Sequence, residues 1–272
     1  TIDWGDGTIV ENTYANRTHT YDNSGDYDVE ILGECVGFNF LQSGNANQSN
    51  IINISQWGNS FNIGNIGSVW SSGSFRDCNN LDITATDVLN LNGIDRISGL
   101  FRDCENLIFN ESINNWNTES FYSANEVFQN TNFNQPLNNW NTENIAYMDY
   151  VFKDNAVFNQ PLNNWNTRSS IRFYGMFQNA VSFNQDISSW DFRNVGLLFD
   201  FMKGKTSNDY NAEYYDNLLI KWATDPSEGG LQTNKVTQIN MGTIKYTAIG
   251  ASARQSILDN NKATQINDGG QI

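Results

Sequence analysis

Several residue types are scarce in this sequence, and each scarcity removes a class of function. The 272 residues contain one histidine, His19, and three cysteines. A single histidine cannot serve both a histidine-based catalytic triad and a histidine-ligated metal. Three cysteines form at most one disulfide, so no disulfide framework holds the fold. The sequence therefore favours a binding or structural protein, and we do not expect an enzyme.

Positive charge and long apolar stretches are also scarce. Lys and Arg number 15 against 30 Asp and Glu, which gives a formal net charge of −15. No basic stripe interrupts this acidity, so binding to nucleic acid is not expected. No run of 18 apolar residues is present, so we expect no membrane insertion. The chain opens without a basic and apolar leader, which indicates either a removed leader or a segment of a longer protein.

Asparagine and aromatic residues, by contrast, are abundant. The sequence contains 44 asparagines, and aromatic residues make up 13% of it. Disordered chains are poor in aromatic residues, so this one is expected to fold. The asparagines recur inside a repeat, since the segment NQPLNNWNT at residues 134–142 returns at 159–167. A period of this length predicts a stack of similar coils.

Aromatic residues mark the period of the repeat. Four tryptophans are spaced by 24 or 25 residues, and a large apolar residue stands twelve positions after each. In the same register Leu89 leads to Phe101, and Ile63 leads to Phe75. We therefore expect about six coils over residues 63–208. The residues predicted to stack in columns are Trp116, Trp140, Trp165 and Trp190, and Phe101, Phe128, Phe152 and Phe177.

Within one coil the apolar spacing predicts a short extended segment, a single helical turn and a loop that returns to the next coil. One such unit cannot bury its apolar face alone, but a stack of them forms a continuous core. The expected fold class is a repeat solenoid of mixed α and β structure. Because the returning loops lack secondary structure, their backbone groups need other partners. We expect hydrogen-bonded columns of asparagine beside the tryptophans, since Asn carries both donors and an acceptor.

Two forms of the repeat resemble a known family. Residues 176–191 (MFQNAVSFNQDISSWD) are similar to the repeat of BspA-like leucine-rich-repeat bacterial surface proteins. Residues 75–81 and 101–107 resemble the Phe-x-x-Cys-x-x-Leu form of the same superfamily. The resemblance implies a leucine-rich-repeat solenoid displayed outside a cell. Proteins of this family also occur among phage tail and virion components, so a bacterial and a phage setting both stay open.

Residues 1–34 follow a different pattern. A strand with a glycine-rich turn is predicted over residues 1–8, and further strands over 18–21 and 25–31. The motifs WGDGT, HTY and GDYDV resemble core strands of a PKD-like β-sandwich, an extracellular spacer and adhesion module. The resemblance implies a partial module, whose first strands would precede the start of this sequence. Residues 35–62 are expected to form a junction to the coils.

Past residue 208 the repeat pattern dissolves, and residues 209–272 are expected to cap the stack. Apolar residues at i, i+3, i+4 and i+7 predict an amphipathic helix over 211–224. A final extended coil is predicted at 236–246, a second helix at 252–260 and a closing strand at 264–272. Solenoids need such an atypical end unit to cover the last open face. The tail also resembles the closing segment of the same repeat family.

Three sets of cysteine or acidic residues are candidate chemical sites. Cys78 and Cys104 share one repeat position, which is compatible with a disulfide, a metal pair or two small buried thiols, and the thiols are favoured. Asp3, Asp6 and Asp26 suggest either a calcium site or turn-forming Asp-Gly pairs, and the turn is favoured. Pairs of carboxylates arise by chance among 30 acidic residues, so they predict no glycosidase. The pairs considered are Asp225 with Glu228, and Glu111 with Glu119.

Positions six, seven and nine residues after each tryptophan are expected to face outward. Exposed tyrosine and arginine are frequent anchors of binding surfaces, and tyrosine also stacks on sugar rings. Covering neighbouring coils is the alternative role for these side chains. The ligand-face candidates are Tyr122, Tyr147, Arg172 and Tyr174, with Arg96 and Asp149 beside them.

These features together predict an extracellular, cell-surface or virion-exposed protein that adheres to a surface protein or glycan of another cell. Such a function requires no cofactor. The alternative is a structural surface component, such as a virion decoration or a filament subunit, that self-associates or assembles into a virion. A secreted glycan-degrading enzyme would need an acidic dyad in a cleft, which the sequence does not indicate.

Overall fold

The computed structural model describes residues 1–38, 48–64 and 73–272. Residues 39–47 of the predicted junction and residues 65–72 of the first predicted coil lie outside the described residues. Within the described part of the chain, no helix is long and apolar enough to cross a membrane.

The chain begins with a small antiparallel sheet. Strand β1 (Ile2–Asp3) lies between β2 (Ile9–Val10) and β3 (Glu30–Ile31). A 3₁₀ helix at Tyr14–Asn16 follows β2. The strand predicted over 25–31 is therefore reduced to its last two residues.

The strand predicted over 18–21 is wrong, because aromatic packing takes its place. The ring of His19 stacks on Trp4 at 5.1 Å between centroids, and Tyr21 stacks on Tyr27 at 4.0 Å. The Tyr21 hydroxyl donates to the Trp4 carbonyl at 2.9 Å. These side-chain contacts hold the segment against the sheet without making it a strand.

The Asp-Gly pairs shape the turn between β1 and β2. Asp3 Oδ1 accepts a hydrogen bond from the Gly5 N–H, and Asp6 Oδ1 accepts one from the Thr8 N–H, both at 2.9 Å. Gly5 has a φ of 79°, a conformation that glycine adopts readily. Asp6 Oδ2 also lies 2.7 Å from His19 Nε2. The described residues hold no cluster of three His, Cys, Asp or Glu side chains that could bind a metal.

Each later strand that the structure describes pairs in parallel with a strand one coil away. Strand β4 (Cys35–Val36) pairs with β6 (Phe61–Asn62). Strand β5 (Asn53–Ile54) pairs with β7 (Asp82–Ile83), which pairs with β8 (Ile108–Phe109). Similar turns stacked on one another produce this parallel pairing. The pairing begins at Cys35, inside the segment predicted as a junction.

Further along, backbone hydrogen bonds join each coil to the next. We call this series of bonds the turn ladder, and the residues that take part in it occupy ladder positions. Alternate N–H groups donate to carbonyl groups one coil ahead, as from Phe128 to Val151 and from Phe152 to Met176, both at 3.0 Å. One position per coil also pairs in parallel with its neighbours. These positions are Arg96, Ser123, Tyr147, Arg172 and Leu197.

The predicted single helical turn is replaced by successive tight turns. The N–H groups between the ladder positions bond back three residues, as from Gln178 to the Gly175 carbonyl at 3.1 Å. Two left-handed residues four positions apart interrupt a coil, for example Tyr150 and Asp154 with φ of 58° and 59°. A left-handed residue ends a helix, so alternate N–H groups stay available for the next coil. The other 3₁₀ helices described are Gln48–Asn50, Glu111–Asn115 and Pro226–Glu228.

The core consists of aromatic columns that run through the stack. The rings of Trp116, Trp140, Trp165 and Trp190 stack with centroid distances of 6.4, 6.5 and 5.9 Å and are within 11° of parallel. A second column holds Phe75, Phe101, Phe128, Phe152 and Phe177 at 5.7–6.2 Å. All these rings are buried. Each buries on the order of 150–250 Å² of apolar surface, which joins every coil to its neighbours.

Asparagines form a hydrogen-bonded column on the returning loops. The backbone N–H of Asn159 donates to Asn134 Oδ1, and the N–H of Asn184 donates to Asn159 Oδ1, both at 2.9 Å. The N–H of Asn211 continues the column to Asn184 Oδ1 at 2.8 Å. The side chain of Gln185 adds a bond to Asn159 Oδ1 at 2.9 Å. Amide side chains thus satisfy loop backbone that has no sheet of its own.

The C-terminal region contains two helices and two further parallel strands. Helix α1 spans Ala212–Ala223, within the predicted range, and α2 spans Ala248–Asp259, four residues earlier than predicted at its start. Strands β9 (Val236–Asn240) and β10 (Ala263–Asn267) pair in parallel. Because Leu198 pairs in parallel with Ile239, the ladder continues past residue 208. The repeat is lost there in sequence but not in backbone pairing.

Buried polar contacts hold the two helices in place. On α1, Asp216 accepts hydrogen bonds from the N–H and hydroxyl of Thr247, the residue that caps α2. Asp268 accepts a hydrogen bond from the Tyr215 hydroxyl at 2.7 Å and pairs with Arg254 at 2.8 Å. These contacts tie α1 to α2 and to the end of the chain.

The cysteines are thiols in this structure. Cys78 and Cys104 are both fully buried, and Cys104 Sγ lies 2.9 Å from the Phe75 carbonyl oxygen, to which it donates. A hydrogen bond with Cys78, together with burial, raises the pKa of the Cys104 thiol far above its usual range. A buried thiol with a raised pKa behaves as a small hydrophobe rather than as a nucleophile.

Candidate ligand face

The outward side of the turn ladder brings the four predicted ligand-face residues onto one surface. Tyr147 and Arg172 occupy the same ladder position on neighbouring coils, and Tyr122 precedes the position held by Ser123. Tyr174 lies two residues beyond Arg172 on the same coil. We call this surface the tyrosine face. It consists of Arg96, Tyr122, Tyr147, Tyr150, Ile171, Arg172, Tyr174, Leu197 and Phe199.

Four members of the tyrosine face were not predicted from the sequence: Tyr150, Ile171, Leu197 and Phe199. Ile171 and Leu197 are 36% and 38% exposed, similar to Tyr122 at 42%. Leu197 occupies the ladder position of Tyr147 on another coil, and Ile171 lies one residue before that position. Counting a constant distance from each tryptophan could therefore have predicted both residues. Tyr150 was hidden because its left-handed backbone changes the direction of its side chain.

The aromatic rings of this face contact one another across coils. Tyr122 meets Tyr147 edge-on at 5.2 Å, and Tyr150 meets Tyr174 edge-on at 4.8 Å. Tyr174 also stacks on Phe199 at 5.4 Å. A Cβ at Gly175 would lie 2.5 Å from the Tyr150 ring, so a glycine is required where that ring crosses the next coil. The rings are therefore fixed by packing rather than free to rotate.

A buried carboxylate lies beneath the rings. Asp149 is 1% exposed, and its Oδ2 forms an ion pair with Arg172 Nη2 at 2.7 Å. Its Oδ1 accepts the backbone N–H of Tyr174 at 2.9 Å. Burial raises the pKa of the Asp149 carboxyl, and the attraction of Arg172 only partly opposes that rise. The Arg172 guanidinium also lies 5.9 Å from the centre of the Tyr147 ring.

Neighbouring coils contribute uncharged polar groups to the same layer. Ser98 Oγ and Ser123 Oγ form a buried hydrogen bond at 2.8 Å. The backbone N–H of Asp149 donates to Asn125 Oδ1 at 2.8 Å. Asp149 is thus charged, whereas the polar groups beside it on the two preceding coils are hydroxyl and amide groups.

Paired charges flank the tyrosine face. Arg102 lies 2.6 Å from Glu126 and 3.1 Å from Asp103, and Lys203 lies 3.1 Å from Asp200. This flank is nearly neutral, whereas residues 1–34 carry eight acidic residues and one arginine. A ligand that is itself anionic therefore meets less repulsion here than at the start of the chain.

Other surfaces of the described chain are weaker candidates for a functional site. Two open grooves of about 560 and 340 Å³ lie elsewhere, and Glu34 is the one carboxylate that lines them. Of the acidic pairs considered, Asp225 accepts the Ser227 N–H at 2.8 Å, which lowers the pKa of its carboxyl. That carboxylate closes a loop turn, and a low pKa is the opposite of what a glycosidase acid needs.

A comparison with protein families finds a match that covers most of these coils. A family model described as a Mycoplasma protein of unknown function, DUF285, matches residues 68–144 and 95–215. The two overlapping matches together span residues 68–215, more than half of the 272 residues. The chain belongs to the DUF285 family. No curated protein and no solved structure matches the chain.

The DUF285 match contains the four stacked tryptophans and the whole tyrosine face. The small N-terminal sheet and most of the C-terminal region, from β9 onward, lie outside it. Because the DUF285 family is described as being of unknown function, membership alone assigns no activity to the face.

Proposed function

We propose that this DUF285 protein is displayed outside a cell or on a virion and adheres to a surface protein or glycan through the tyrosine face. Its coils would form a solenoid of the leucine-rich-repeat type, with a partial PKD-like module before them and a cap after them. In this proposal the protein is not an enzyme, and it needs no cofactor.

The observation that carries the proposal is a set of exposed tyrosine and aliphatic side chains held on a rigid ladder. Tyr122, Ile171 and Leu197 are each more than a third exposed, and the rings beside them are fixed across coils. Tyrosine and arginine dominate the energetically important centres of protein interfaces. Side chains that are already ordered lose less entropy when they bind a partner.

A second candidate function is structural. Strand β10 pairs with β9 on one side, and it is the last strand of its two-stranded sheet. An open strand edge is a template for pairing with another chain. This observation favours a self-associating surface component, such as a filament subunit or virion decoration, without a dedicated ligand.

The double substitution Tyr147→Ala and Tyr174→Ala tests the proposed adhesion. We expect it to reduce binding of labelled protein to whole bacterial and animal cells, and to an immobilised glycan array, by at least about tenfold. Tyr14→Ala, at a 79% exposed tyrosine of the N-terminal segment, is the matched control. Circular dichroism checks that each variant is folded.

Two results would overturn the adhesion proposal. One is binding by the double variant that equals binding by the wild type. The other is an absence of binding on every surface tested while sedimentation shows self-association, which would establish the structural candidate instead.

A further inference from the structure

We propose that Asp149 is a positioning residue of the tyrosine face, whose buried carboxylate fixes Arg172 and the backbone of Tyr174 in the arrangement that binds the ligand. This inference rests on the proposed adhesion through that face. It concerns a side chain that is 1% exposed and therefore does not itself contact a partner.

The geometry places Asp149 at the centre of the face. One carboxylate oxygen pairs with Arg172 at 2.7 Å, and the other accepts the Tyr174 N–H at 2.9 Å. Arg172 in turn lies over the Tyr147 ring at 5.9 Å, and the Tyr174 ring contacts Tyr150 at 4.8 Å. The carboxylate thus contacts the Arg172 side chain and the Tyr174 backbone directly, and through them it is linked to the Tyr147 and Tyr150 rings.

The ladder itself does not require a carboxylate at this position. The corresponding residues of the other coils, aligned by backbone bonds from Gly99, Glu126, Tyr150 and Gly175, are uncharged. Those residues are Ser98, Asn125, Tyr174 and Phe199. Because asparagine and serine fit the same register, the charge of Asp149 needs a reason other than packing.

Burial of this charge does not stabilise the fold either. Desolvation raises the pKa of the Asp149 carboxyl even though Arg172 is beside it, so the ionised form costs free energy in the folded state. Removing two charges from water often costs more than their attraction returns. Charged groups that are buried at such a cost are enriched at functional sites. We infer that the buried carboxylate instead serves to orient Arg172, with which it forms an ion pair.

Orientation matters because arginine has a long side chain with many rotamers. A guanidinium that contacts a carboxylate and an aromatic ring is restricted in the directions it can take. A partner that contacts Arg172 then meets a side chain that is already ordered. Without the carboxylate, Arg172 loses the ion pair at 2.7 Å that contributes to this order.

The arrangement also makes ligand binding sensitive to acid. The groups that face the Asp149 carboxyl are Arg172, Glu126 and the Tyr150 phenol. Glu126 raises the pKa of Asp149, and it is itself paired with Arg102 at 2.6 Å. Asp149 therefore takes up its proton at a higher pH than an ordinary aspartate and then releases Arg172. Because the pKa of Asp149 is higher in the folded protein than in the unfolded chain, protonation of this carboxyl stabilises the folded state. Protonation is therefore expected to weaken ligand binding without unfolding the protein.

The variant Asp149→Asn tests the inference, because asparagine is accommodated at the same position in Asn125. The first measurement needs no ligand: phenylglyoxal labelling of arginine, mapped by mass spectrometry. We expect Arg172 to react several-fold faster in the variant than in the wild type at pH 7. The rate of the wild type should approach that of the variant as the pH is lowered, after correction for the pH dependence of the reagent.

The second measurement is binding to the cells or glycans that bind the wild type. We expect Asp149→Asn to weaken binding by about tenfold at pH 7.5, which corresponds to about 1.4 kcal/mol. Because the pKa of Asp149 is raised, wild-type binding should weaken as the pH is lowered, from a higher pH than an ordinary aspartate would give, whereas binding by the variant should change less over the same range. Glu143→Gln, which removes an exposed carboxylate from the same coil, should leave the wild-type profile unchanged.

The outcomes separate the two proposals. If Tyr147→Ala with Tyr174→Ala abolishes binding while Asp149→Asn leaves the affinity, the pH profile and Arg172 labelling at wild-type values, the positioning role is wrong and the adhesion stands. If the tyrosine variant binds normally, the adhesion through this face is wrong. In that case Arg172 labelling alone decides whether Asp149 orders the arginine.

Discussion

Two regions of the coil stack share the same aromatic core but differ in whether the buried indole N–H groups are hydrogen-bonded. In the central coils (residues 112–205), the Nε1–H groups of Trp140, Trp165 and Trp190 donate to carbonyl groups one coil back at 2.9–3.0 Å. In the early coils (48–64 and 73–111), Trp57 meets edge-on, at 6.4 Å, Trp116, which is the first tryptophan of the central coils and follows an early coil. Among the described residues, neither Trp57 nor Trp116 has a partner for its Nε1–H.

The difference follows from the regularity of the repeat. Successive tryptophans of the central coils are 24 or 25 residues apart, so equivalent carbonyl groups fall at equivalent places. In the early coils Leu89 stands in the tryptophan register, 27 residues before Trp116. Stacking of rings tolerates such irregularity, because dispersion and burial are not directional. A hydrogen bond does not tolerate it, since its geometry depends on equal coil lengths.

The largest effect is expected from truncating a central ring. Trp165→Ala should lower the free energy of unfolding by about 3–5 kcal/mol, because it removes a buried ring that stacks on both neighbours. Trp57→Ala should cost about 1 kcal/mol less, since no Nε1 hydrogen bond is lost. Urea denaturation measures both values, and an equal or larger loss at Trp57 would contradict the comparison.

A second contrast concerns the buried position that Cys78 and Cys104 occupy in the early coils and Lys205 occupies at the end of the central ones. Lys205 is buried and donates to the Ala180 carbonyl at 2.6 Å, and burial lowers the pKa of its ammonium group to about 8. Between about pH 8 and 10 the unfolded chain binds this proton and the folded chain does not. Stability should therefore rise with pH by up to about 1.4 kcal/mol per unit through this group.

The variant Lys205→Met should remove that slope. Unfolding by urea at pH 8, 8.5, 9 and 9.5 compares the slopes of the variant and the wild type. The control is Lys203→Met, which removes an exposed lysine that pairs with Asp200, and which should keep the wild-type slope. Parallel slopes for wild type and Lys205→Met would show that the buried lysine does not titrate in this range.

Replacing the indole by a phenyl ring isolates the hydrogen bond from the ring. Trp165→Phe leaves the Leu137 carbonyl without its donor and should cost about 1–3 kcal/mol. Trp116→Phe removes an N–H that has no partner in the described chain, so its cost should be smaller by about 1 kcal/mol or more. Equal costs, from chemical denaturation of both variants, would mean that the hydrogen bonds do not distinguish the two regions.

The smallest effect is expected in the asparagine columns. Asn159→Ala removes an Oδ1 that accepts from two groups of the next coil and should cost about 1 kcal/mol. Asn80→Ala in the early coils removes one exposed bond to the Ser49 carbonyl and should cost less than about 0.5 kcal/mol. Thermal unfolding followed by circular dichroism resolves the pair, and the reverse order would contradict the role given to the columns.

The sequence predicted those features of the fold that repeat with a constant period. The spacing of Trp116, Trp140, Trp165 and Trp190 indicated rings in one column, and the structure stacks them. Helix α1 was readable from its apolar spacing because it follows the ordinary helical period. Where coil lengths vary the register was lost, so Trp57 and the parallel pairing from Cys35 were missed.

The tryptophan register located part of the candidate site but not its interior. Counting from each tryptophan selected Tyr147 and Arg172, because the ladder repeats with the coils. It expected Asp149 beside them on the outward side, whereas the structure buries it. A sequence pattern does not show which residues of a turn are left-handed, so the directions of Asp149 and Tyr150 could not be predicted. For the same reason the tight turns were mistaken for a helical turn.

The central claim is that each coil is an equivalent unit held to its neighbours by aromatic columns and backbone bonds. Deleting residues 141–165 removes one full period and joins Trp140 to Asn166, which is equivalent to Asn141. We expect this variant to fold, to unfold cooperatively and to be shorter by about 4.8 Å in small-angle scattering. Deleting residues 141–152 removes half a period and should abolish the folded state. The account would be contradicted if both deletions destroyed the fold or if both were tolerated alike.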